Sequence, residues 1–461
     1  MASVATADAR PRFSLGYRRW MLGLLVAVYT CSFIDRMLAS TVGPAIKLDL
    51  KLTDTEFGVL TGAAFALFYT SFGVPIGRLV ERFSRVTIIS VCIALWSAMT
   101  MLSGTSQNYL QLLLYRMGVG VGEGGCSPAA HSLLSDHYPA KQRGGALAIY
   151  SIGVPIGSMI GAIAGGWLAE AFNWRIAFLV IGAPGLLLTL VTLATLREPP
   201  RGFADGAPPP AKAPPFGQVV KQLFATPTFR HAATGCVLIN LAASGIAQFA
   251  VSYFVREFGL GLRQAGLLYG LVVGAAGTIG MLTGGFGADL GAKRDARWRV
   301  WLPAIGGIWA LPAFAIAFTR NDPFLAAGFI FCGGLGYSLY FAPTFALAQN
   351  LVEPRMRGTA SALMFLLINV FGGGLGPTVL GMVSDILSQH AFGASVFTSM
   401  CPGGAAPHGS AQALTLACRM ASANGLKEAM LICTGFFAWG AVHFLLAART
   451  IRRDLAASAS A

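Results

Sequence analysis

Charged side chains are scarce in this sequence. Asp, Glu, Lys and Arg make up 11% of its 461 residues, whereas a soluble domain typically carries about 25%. The six histidines are scattered, and no set of His and Cys residues has metal-ligand spacing. No side chains form a nucleophile–base set. These shortages exclude an ordinary soluble domain and predict no catalytic residues, no metal and no cofactor.

Apolar residues are abundant instead. They make up 55% of the chain, and the mean hydropathy is +0.64. A bilayer-spanning helix takes roughly 20 residues, and apolar stretches of that length recur about twelve times. The first has spanning length and follows a polar, basic start, so we expect no cleaved signal peptide. The sequence therefore predicts an all-α membrane protein with twelve transmembrane helices.

The formal net charge is +14, and most of the Lys and Arg residues lie in the predicted loops rather than in one patch that could bind nucleic acid. An even number of spans places both termini on one side. That side holds 23 of the 33 Lys and Arg residues, the other side holds 8, and Arg36 and Arg116 lie within spans. The positive-inside rule then predicts cytoplasmic termini. We expect a multi-pass protein of a bacterial inner membrane, with no nucleic-acid partner.

A proline-rich linker divides the chain. Seven prolines lie between Pro199 and Pro215, and a short surface helix is expected at 216–223. The predicted domains run in chain order: a cytoplasmic N-terminal tail at 1–19, an N-terminal six-helix bundle at 20–196, a cytoplasmic linker at 197–228, a C-terminal six-helix bundle at 229–450 and a cytoplasmic tail at 451–461.

Two short motifs repeat across this linker. Arg143-Gly-Gly-Ala-Leu-Ala148 recurs as Arg357-Gly-Thr-Ala-Ser-Ala362, and the Gly-x-x-x-acid pattern of residues 77–81 recurs at 285–289. The two offsets are nearly equal, and each motif lies in a loop on the same side. Such repeats are typical of transporters built by parallel duplication. We predict two six-helix bundles related by a parallel pseudo-repeat.

Four charged residues lie inside apolar spans. Asp35 and Arg36 interrupt the first span, and Arg116 and Glu123 lie on the fourth. Each charge costs about 2.5–3.5 kcal/mol to insert, so all four are expected to face the protein interior or a water-filled cavity. Arg116 and Glu123 share one helix face, about 10.5 Å apart along the axis. Their depths favour an Asp35–Arg116 ion pair, and a register one turn different pairs Arg36 with Glu123.

Glu123 is the predicted proton-coupling residue, and Asp35 is the second candidate. Low-dielectric surroundings favour a neutral carboxyl group, and a nearby guanidinium favours the carboxylate. A carboxyl group that faces each side of the membrane in turn can therefore load and release a proton. Arg36 and Arg116 are predicted to hold substrate or to pair with these carboxylates. The alternative is a fixed ion pair that only joins helices 1 and 4.

Aromatic and neutral polar residues on other spans are candidates for the wall of a substrate cavity. The second half has no buried acid–base set to match the first, so its contacts are expected to be apolar or neutral. Such asymmetry suits an amphiphilic substrate. The alternative reading is helix packing and interhelix hydrogen bonding. The candidates are Phe65, Tyr69, Asn240, Ser244, Gln248, Tyr337, Tyr340 and Asn369.

The turn after the second span reads Gly77-x-x-x-Glu81-Arg82-x-x-Arg85. It resembles the loop between helices 2 and 3 of the major facilitator superfamily, Gly-x-Leu-x-Asp-Arg-x-Gly-Arg, with Glu81 in place of the Asp and a serine in place of the second Gly. The resemblance implies a major facilitator fold, in which this loop latches the two halves on the cytoplasmic side. Asp289, at the repeat of the motif, is assigned to the same latch.

Helices 1 and 4 and the following loop resemble the Spinster branch of that superfamily, which includes transporters of sphingosine-1-phosphate and lysophospholipids. The resemblance implies a proton-linked, alternating-access carrier of a lipid-like substrate, with Asp35, Arg36 and Glu123 at the proposed substrate and proton positions. We expect a monomer whose partners are protons and a membrane lipid or small amphiphile. The matching residues are Phe33-Ile-Asp-Arg36, Arg116, Gly122-Glu-Gly124, Ser127-Pro128 and Tyr138-Pro-Ala-Lys-Gln-Arg-Gly144.

Two other functions are compatible with these residues. A proton-linked symporter of a small organic anion would use Arg36 and Arg116 to hold a carboxylate. An uncoupled lipid scramblase or channel would show flux that neither saturates nor follows pH. Sequence alone leaves the substrate, the stoichiometry and the direction of transport open.

Two cysteines stand apart from the other six, which lie in predicted spans. Cys401 and Cys418 fall in the long external loop 387–427, where an oxidising compartment would permit a disulfide. Spacing alone does not establish this bond.

Overall fold

The structure, a computed structural model, describes residues 13–201, 215–353, 356–393 and 396–459. Eleven helices within these ranges are long and apolar enough to cross a membrane. A twelfth span, α4, consists of two shorter helices, Tyr109–Gly124 and Cys126–His137, that meet at Gly125. The eleven are α1 (Leu15–Thr41), α2 (Asp54–Val80), α3 (Arg85–Ser103), α5 (Gln142–Ala171), α6 (Trp174–Thr195), α7 (Pro227–Phe258), α8 (Leu262–Ala292), α9 (Trp298–Ala317), α10 (Pro323–Asn350), α11 (Arg357–Phe392) and α12 (Gln412–Ser458).

The predicted all-helical fold is confirmed, but α12 begins earlier than expected. Residues 412–426, predicted as external loop, are the first turns of this helix. They are rich in alanine and leucine, which are strong helix formers. The preceding residues 396–411, here called the cap segment, belong to the predicted external loop and are not part of a long helix.

The helices run alternately between two faces of the bundle. The face at which α1 begins and α12 ends also holds the end of α6 and the start of α7. It is called the linker face, and the opposite one is the cap face. A helix at Phe216–Ala225 agrees with the expected surface helix and buries Val219 and Leu223. The tails at 1–12 and 460–461 and the proline-rich residues 202–214 lie outside the described residues, so the predicted domain boundaries stay predictions.

Small residues bring α2 and α11 together near the cap face. A Cβ atom at Gly62 would lie 2.5 Å from the Gly374 carbonyl oxygen, and one at Gly58 would overlap the Pro377 carbonyl group. Each helix contains a π-helical turn at this crossing, Val59–Ala63 in α2 and Ile368–Gly374 in α11. The two halves of the molecule are therefore in backbone contact on this side.

The cap segment of the second half reaches over to the first half. A disulfide joins Cys401 to Cys418 at the start of α12, and Phe397 packs beside it in a small apolar cluster. Gly403, with φ at +71°, lies against the backbone of Lys47, so a Cβ atom there would be 2.5 Å from the Lys47 carbonyl oxygen. A left-handed φ with so little space requires glycine. The disulfide thus holds a loop that covers part of the first half.

Candidate functional site

An ion pair between α1 and α4 lies at the centre of the first half. Arg36 Nε donates to Glu123 Oε2 at 2.5 Å. The Glu123 side chain is 1% exposed, whereas that of Arg36 is 22% exposed. The second Glu123 oxygen, Oε1, accepts no hydrogen bond within the described part of the chain. Arg36 is therefore the accessible member of the pair, and Glu123 is a buried carboxylate with one of its two oxygens bonded.

Three aromatic rings surround the Arg36 guanidinium. Its Cζ atom lies 4.8 Å from the ring centres of Phe33 and Phe65 and 4.9 Å from that of Tyr69. Cations within about 6 Å of an aromatic ring are attracted by its quadrupole. Phe65 and Tyr69, predicted as cavity residues, thus hold the arginine of the ion pair.

Asp35 and Arg116 are both buried beside this pair. Thr100 Oγ1 donates to Asp35 Oδ2 at 3.1 Å, and Asp35 Oδ1 has no hydrogen-bond partner in the described ranges. The Arg116 Nε and Nη1 atoms likewise have none. The structure forms the second of the two pairings weighed above, Arg36 with Glu123, and shows no Asp35–Arg116 ion pair within residues 13–201. The rotation and axial position of α1 relative to α4 determine which of the two pairings forms.

A second charged cluster, which the sequence reasoning missed, joins the two halves at the cap face. Asp54 at the start of α2 accepts bidentate hydrogen bonds from Arg256 on α7, at 2.7 and 2.8 Å. Asp385 on α11 accepts from the backbone N–H groups of Asp54 and Thr55 at 2.9 and 2.7 Å. Lys47 pairs with the same Asp54 carboxylate. These residues are called the cap-face cluster.

Lys47 is the member of the cap-face cluster that lies outside the spans. Its ammonium group is 3% exposed. Burial, reinforced by the Arg256 guanidinium, lowers the pKa of Lys47 to about 8, although the Asp54 carboxylate acts to raise it. In the sequence, Arg256 and Asp385 could have been noticed because each is a charged residue within a few residues of the end of an apolar span. No sequence pattern connects them to Asp54.

The predicted latch residues lie at the linker face. Glu81, Arg82 and Asp289 are exposed there, and Gly77 has open space where a Cβ atom would stand. Arg85 is buried and bonds within its own half to Asp136 and, at 2.5 Å, to Glu198. Their role as a latch between the halves stays a prediction.

Neutral polar candidates of the second half mostly bond to one another or to backbone. Asn240 Nδ2 donates to Tyr340 Oη at 3.0 Å, and Ser244 Oγ donates to the Gly372 carbonyl oxygen at 3.0 Å. Asn369 Nδ2 donates to the Phe365 carbonyl oxygen on its own helix. Gln248 differs, because its Oε1 atom is buried with no hydrogen-bond partner in the described ranges.

A small apolar recess lies in the second half. It is lined by α7, α8, α9 and α10, and its wall includes Ile246, Tyr269, Phe314 and the predicted residue Tyr337. The Arg36–Glu123 pair thus lies in the first half, and the second half offers a small apolar recess.

This arrangement defines a class of protein. Two halves of six membrane-spanning helices meet along a central surface, with buried charges in one half and contact between the halves at one face. Folds of this kind belong to transporters that rock one half against the other around a fixed site.

The chain belongs to the major facilitator superfamily, whose family model matches residues 25–377. An MFS-type efflux pump of Mycolicibacterium smegmatis is 35% identical over 377 residues, which cover 81% of this chain and 86% of that protein. Human protein spinster homolog 1 is 26% identical over 396 residues, covering 82% of this chain and 75% of that protein.

A solved structure agrees with this assignment. The crystal structure of a bacterial homolog to the human lysosomal transporter Spinster, in an inward-facing and unoccupied conformation, matches with a TM-score of 0.85 at 30% identity, over 96% of this chain and 99% of that one. The predicted superfamily, Spinster-like branch and fold are confirmed. The protein is a multi-pass membrane transporter rather than an enzyme.

Proposed function

We propose that this transporter couples proton movement to the alternating-access transport of an amphiphilic, lipid-like substrate. The supporting observation is the Glu123 carboxylate, buried with one oxygen on Arg36 and the other free of hydrogen bonds from the described residues. Protonation of Glu123 neutralises the pair and frees Arg36 to bind an anionic group. Intramembrane carboxylates in transporters commonly serve as proton relays.

The lipid-like substrate is proposed from the shape of the two halves. Arg36 and Arg116 suit an anionic headgroup, and the apolar side chains beside Tyr269 and Phe314 suit contact with an acyl chain. The charge distribution of the loops supports a bacterial cytoplasmic membrane with the linker face inside. In the opposite conformation, Glu81, Arg82 and Asp289 would close that face. We propose that the protein works as a monomer.

The test is uptake into proteoliposomes with an imposed pH gradient. We expect saturable, gradient-dependent uptake of a lysophospholipid or sphingolipid phosphate, and loss of gradient dependence in Glu123→Gln. Glu428→Gln, which changes an exposed glutamate on α12, is the matched control and should leave uptake unchanged. Uptake that ignores pH and does not saturate would identify a scramblase or channel and reject the proposal.

A small organic anion is the second candidate substrate. Arg116 favours it, because two buried guanidinium nitrogens there lack hydrogen-bond partners in the described chain and could hold a carboxylate in a bidentate pair. Competition distinguishes the two substrates. Inhibition by organic acids, with no effect of lysolipids, would replace the lipid-like substrate by this one.

A further inference from the structure

One histidine lies on the same side of α4 as Glu123, nearer to the linker face. His131 follows Glu123 by eight residues, and Ser127 lies midway between them. Residues four apart are neighbours on a helix surface, about 5–6 Å apart at their Cβ atoms. Gly125, where the two segments of α4 meet, keeps right-handed helical angles, so the row of three side chains continues across the junction. Glu123 is buried and His131 is exposed.

A column of contacting side chains connects this histidine to the Arg36–Glu123 pair. The His131 ring packs edge-on against Tyr150 at 5.4 Å between ring centres. Tyr150 stacks on Tyr29 at 4.4 Å, and Tyr29 contacts Phe33, which lies beside the Arg36 guanidinium. The Tyr150 side chain is 1% exposed. These rings form a line of contacts from His131 to the ring beside the Arg36 guanidinium.

Other ionisable groups lie on α4 and on the neighbouring helices. Tyrosine, cysteine and arginine side chains have reference pKa values of about 8.5 or more, whereas that of histidine is about 6.5. Histidine is therefore the side chain suited to exchange protons near neutral pH. Arg85 is turned away and bonds to Ser132 and Asp136. The groups are Tyr29 and Arg36 on α1, Tyr69 on α2, Cys92 and Arg85 on α3, Cys126 on α4, and Arg143 and Tyr150 on α5.

We propose that His131 exchanges protons between water at the linker face and the Glu123 carboxylate, with the Ser127 hydroxyl between them. This inference rests on the proposed proton coupling at Glu123. His131 takes a proton from water, and the proton passes along the row of side chains to Glu123. Glu123 becomes a neutral acid and His131 returns to neutral imidazole. Release follows the same steps in reverse. His131 is a proton-exchange residue and has no contact with substrate.

The experiment compares two transport modes in proteoliposomes. Uptake driven by a pH gradient requires net proton movement, whereas substrate exchange at equal pH on both sides does not. We expect His131→Gln to slow driven uptake at least about tenfold, in line with the contribution of proton-transfer groups, and to leave exchange within about twofold. His131→Ala should behave alike, and imidazole added at the linker-face side should restore its driven uptake. His390→Gln, at an exposed histidine near the cap face, is the control.

The outcomes separate this inference from the proposed function. Gradient-driven uptake that survives in Glu123→Gln rejects proton coupling at Glu123 and the His131 role with it. If Glu123→Gln abolishes driven uptake while His131→Gln leaves it unchanged, the inference about His131 alone is wrong. If both modes fall by the same factor in His131→Gln and imidazole restores neither mode in His131→Ala, His131 is structural and the inference is overturned.

Discussion

Arg36 has two kinds of partner, and they respond differently to a proton. The Glu123 carboxylate loses its charge on protonation, but the three rings around the guanidinium do not change. Contacts of this type are worth about 0.5–2 kcal/mol each. On the proposed mechanism, Arg36 therefore stays in position when Glu123 becomes neutral, with hydrogen-bond donors available for an anionic headgroup.

Lys47 gives a pH dependence at the cap face. Its pKa is lowered to about 8 in the closed cluster, from an ordinary value of 10.5. A state with an open cap face hydrates Lys47 and binds its proton more tightly. Between these two pH values the open state holds the extra proton, so raising the pH favours the closed state. We expect the closed fraction to rise from pH 8 to pH 10.

Distances between spin labels at Gln107 and Arg320, exposed at the cap face on opposite halves, measure that fraction. Lys47→Met should abolish the rise with pH. A rise that persists in Lys47→Met would assign the titration to another group.

The buried charges were predictable as residues, because an ionised side chain in an apolar span is costly and conspicuous. Their pairing was not. Asp35 and Arg36 are adjacent and point about 100° apart around α1, so a small rotation of α1 against α4 decides whether Asp35 meets Arg116 or Arg36 meets Glu123. That rotation depends on packing along the whole helix, and no local pattern encodes it.

Among the elements, α2 and α11 determine how closely the halves approach. Their glycines remove side chains at the crossing, and the two π-helical turns lie at the same depth. π-Helical turns are frequent at functional sites. The two helices are in contact at this crossing. Opening of the cap face would therefore have to separate α2 from α11 here.

A methyl group at this crossing should disfavour the closed cap face. In Gly62→Ala, the added Cβ atom would stand 2.5 Å from the Gly374 carbonyl oxygen. Overpacking of this kind costs about 1–3 kcal/mol, which corresponds to a roughly 5- to 150-fold change in the closed-to-open ratio. Distances between labels at Gln107 and Arg320 should lengthen.

Gly435→Ala is the matched control for this change. Gly435 is also inside a helix, and its Cβ position has nothing within 4 Å. An unchanged label distance in Gly62→Ala, equal to that in Gly435→Ala, would show that α2 and α11 can separate slightly without opening the face.

The spans themselves could be predicted from length and hydropathy, whereas some of their ends could not. The first turns of α12 carry Arg419 and Lys427, which lowered the apolar signal and suggested a loop. In the structure Lys427 Nζ donates to Glu257 Oε1 on α7 at 2.6 Å. A partner 170 residues away therefore accommodates a charge that hydropathy alone counts against a helix.

At the scale of the whole molecule, the cap-face cluster joins the two halves at the cap face. Arg256, Asp385 and Ser384 belong to the second half, and Asp54 belongs to the first. The partners of Asp54 in the second half are 202 to 331 residues away in the chain. Residues 47–56 are rich in charge, but the sequence contains no sign of which distant charges they meet.

Removing the Asp54 charge should open the cap face. Asp54→Asn leaves Arg256 buried without its bidentate carboxylate, and truncating one partner of such a pair costs about 2–5 kcal/mol. We expect the population to shift toward the cap-open state, measured by the same pair of spin labels.

Asp49→Asn is the control, because Asp49 pairs with Arg175 at 2.5 Å inside the first half. Loss of the Asp49–Arg175 ion pair should leave the ratio of cap-open to cap-closed states unchanged. Equal label distances in both variants would remove the cap-face cluster from the closing mechanism.

Asp385 accepts its hydrogen bonds from main-chain amides of Asp54 and Thr55. The Thr55 hydroxyl also donates to Asp385 Oδ2 at 2.6 Å. Substitution at position 55 removes that bond, but any residue except proline still supplies the main-chain amide. The first turn of α2 is therefore held to α11 by hydrogen bonds that depend on the position of its backbone. When the helix tilts, both N–H groups leave the carboxylate together, and the halves disengage in one step rather than bond by bond.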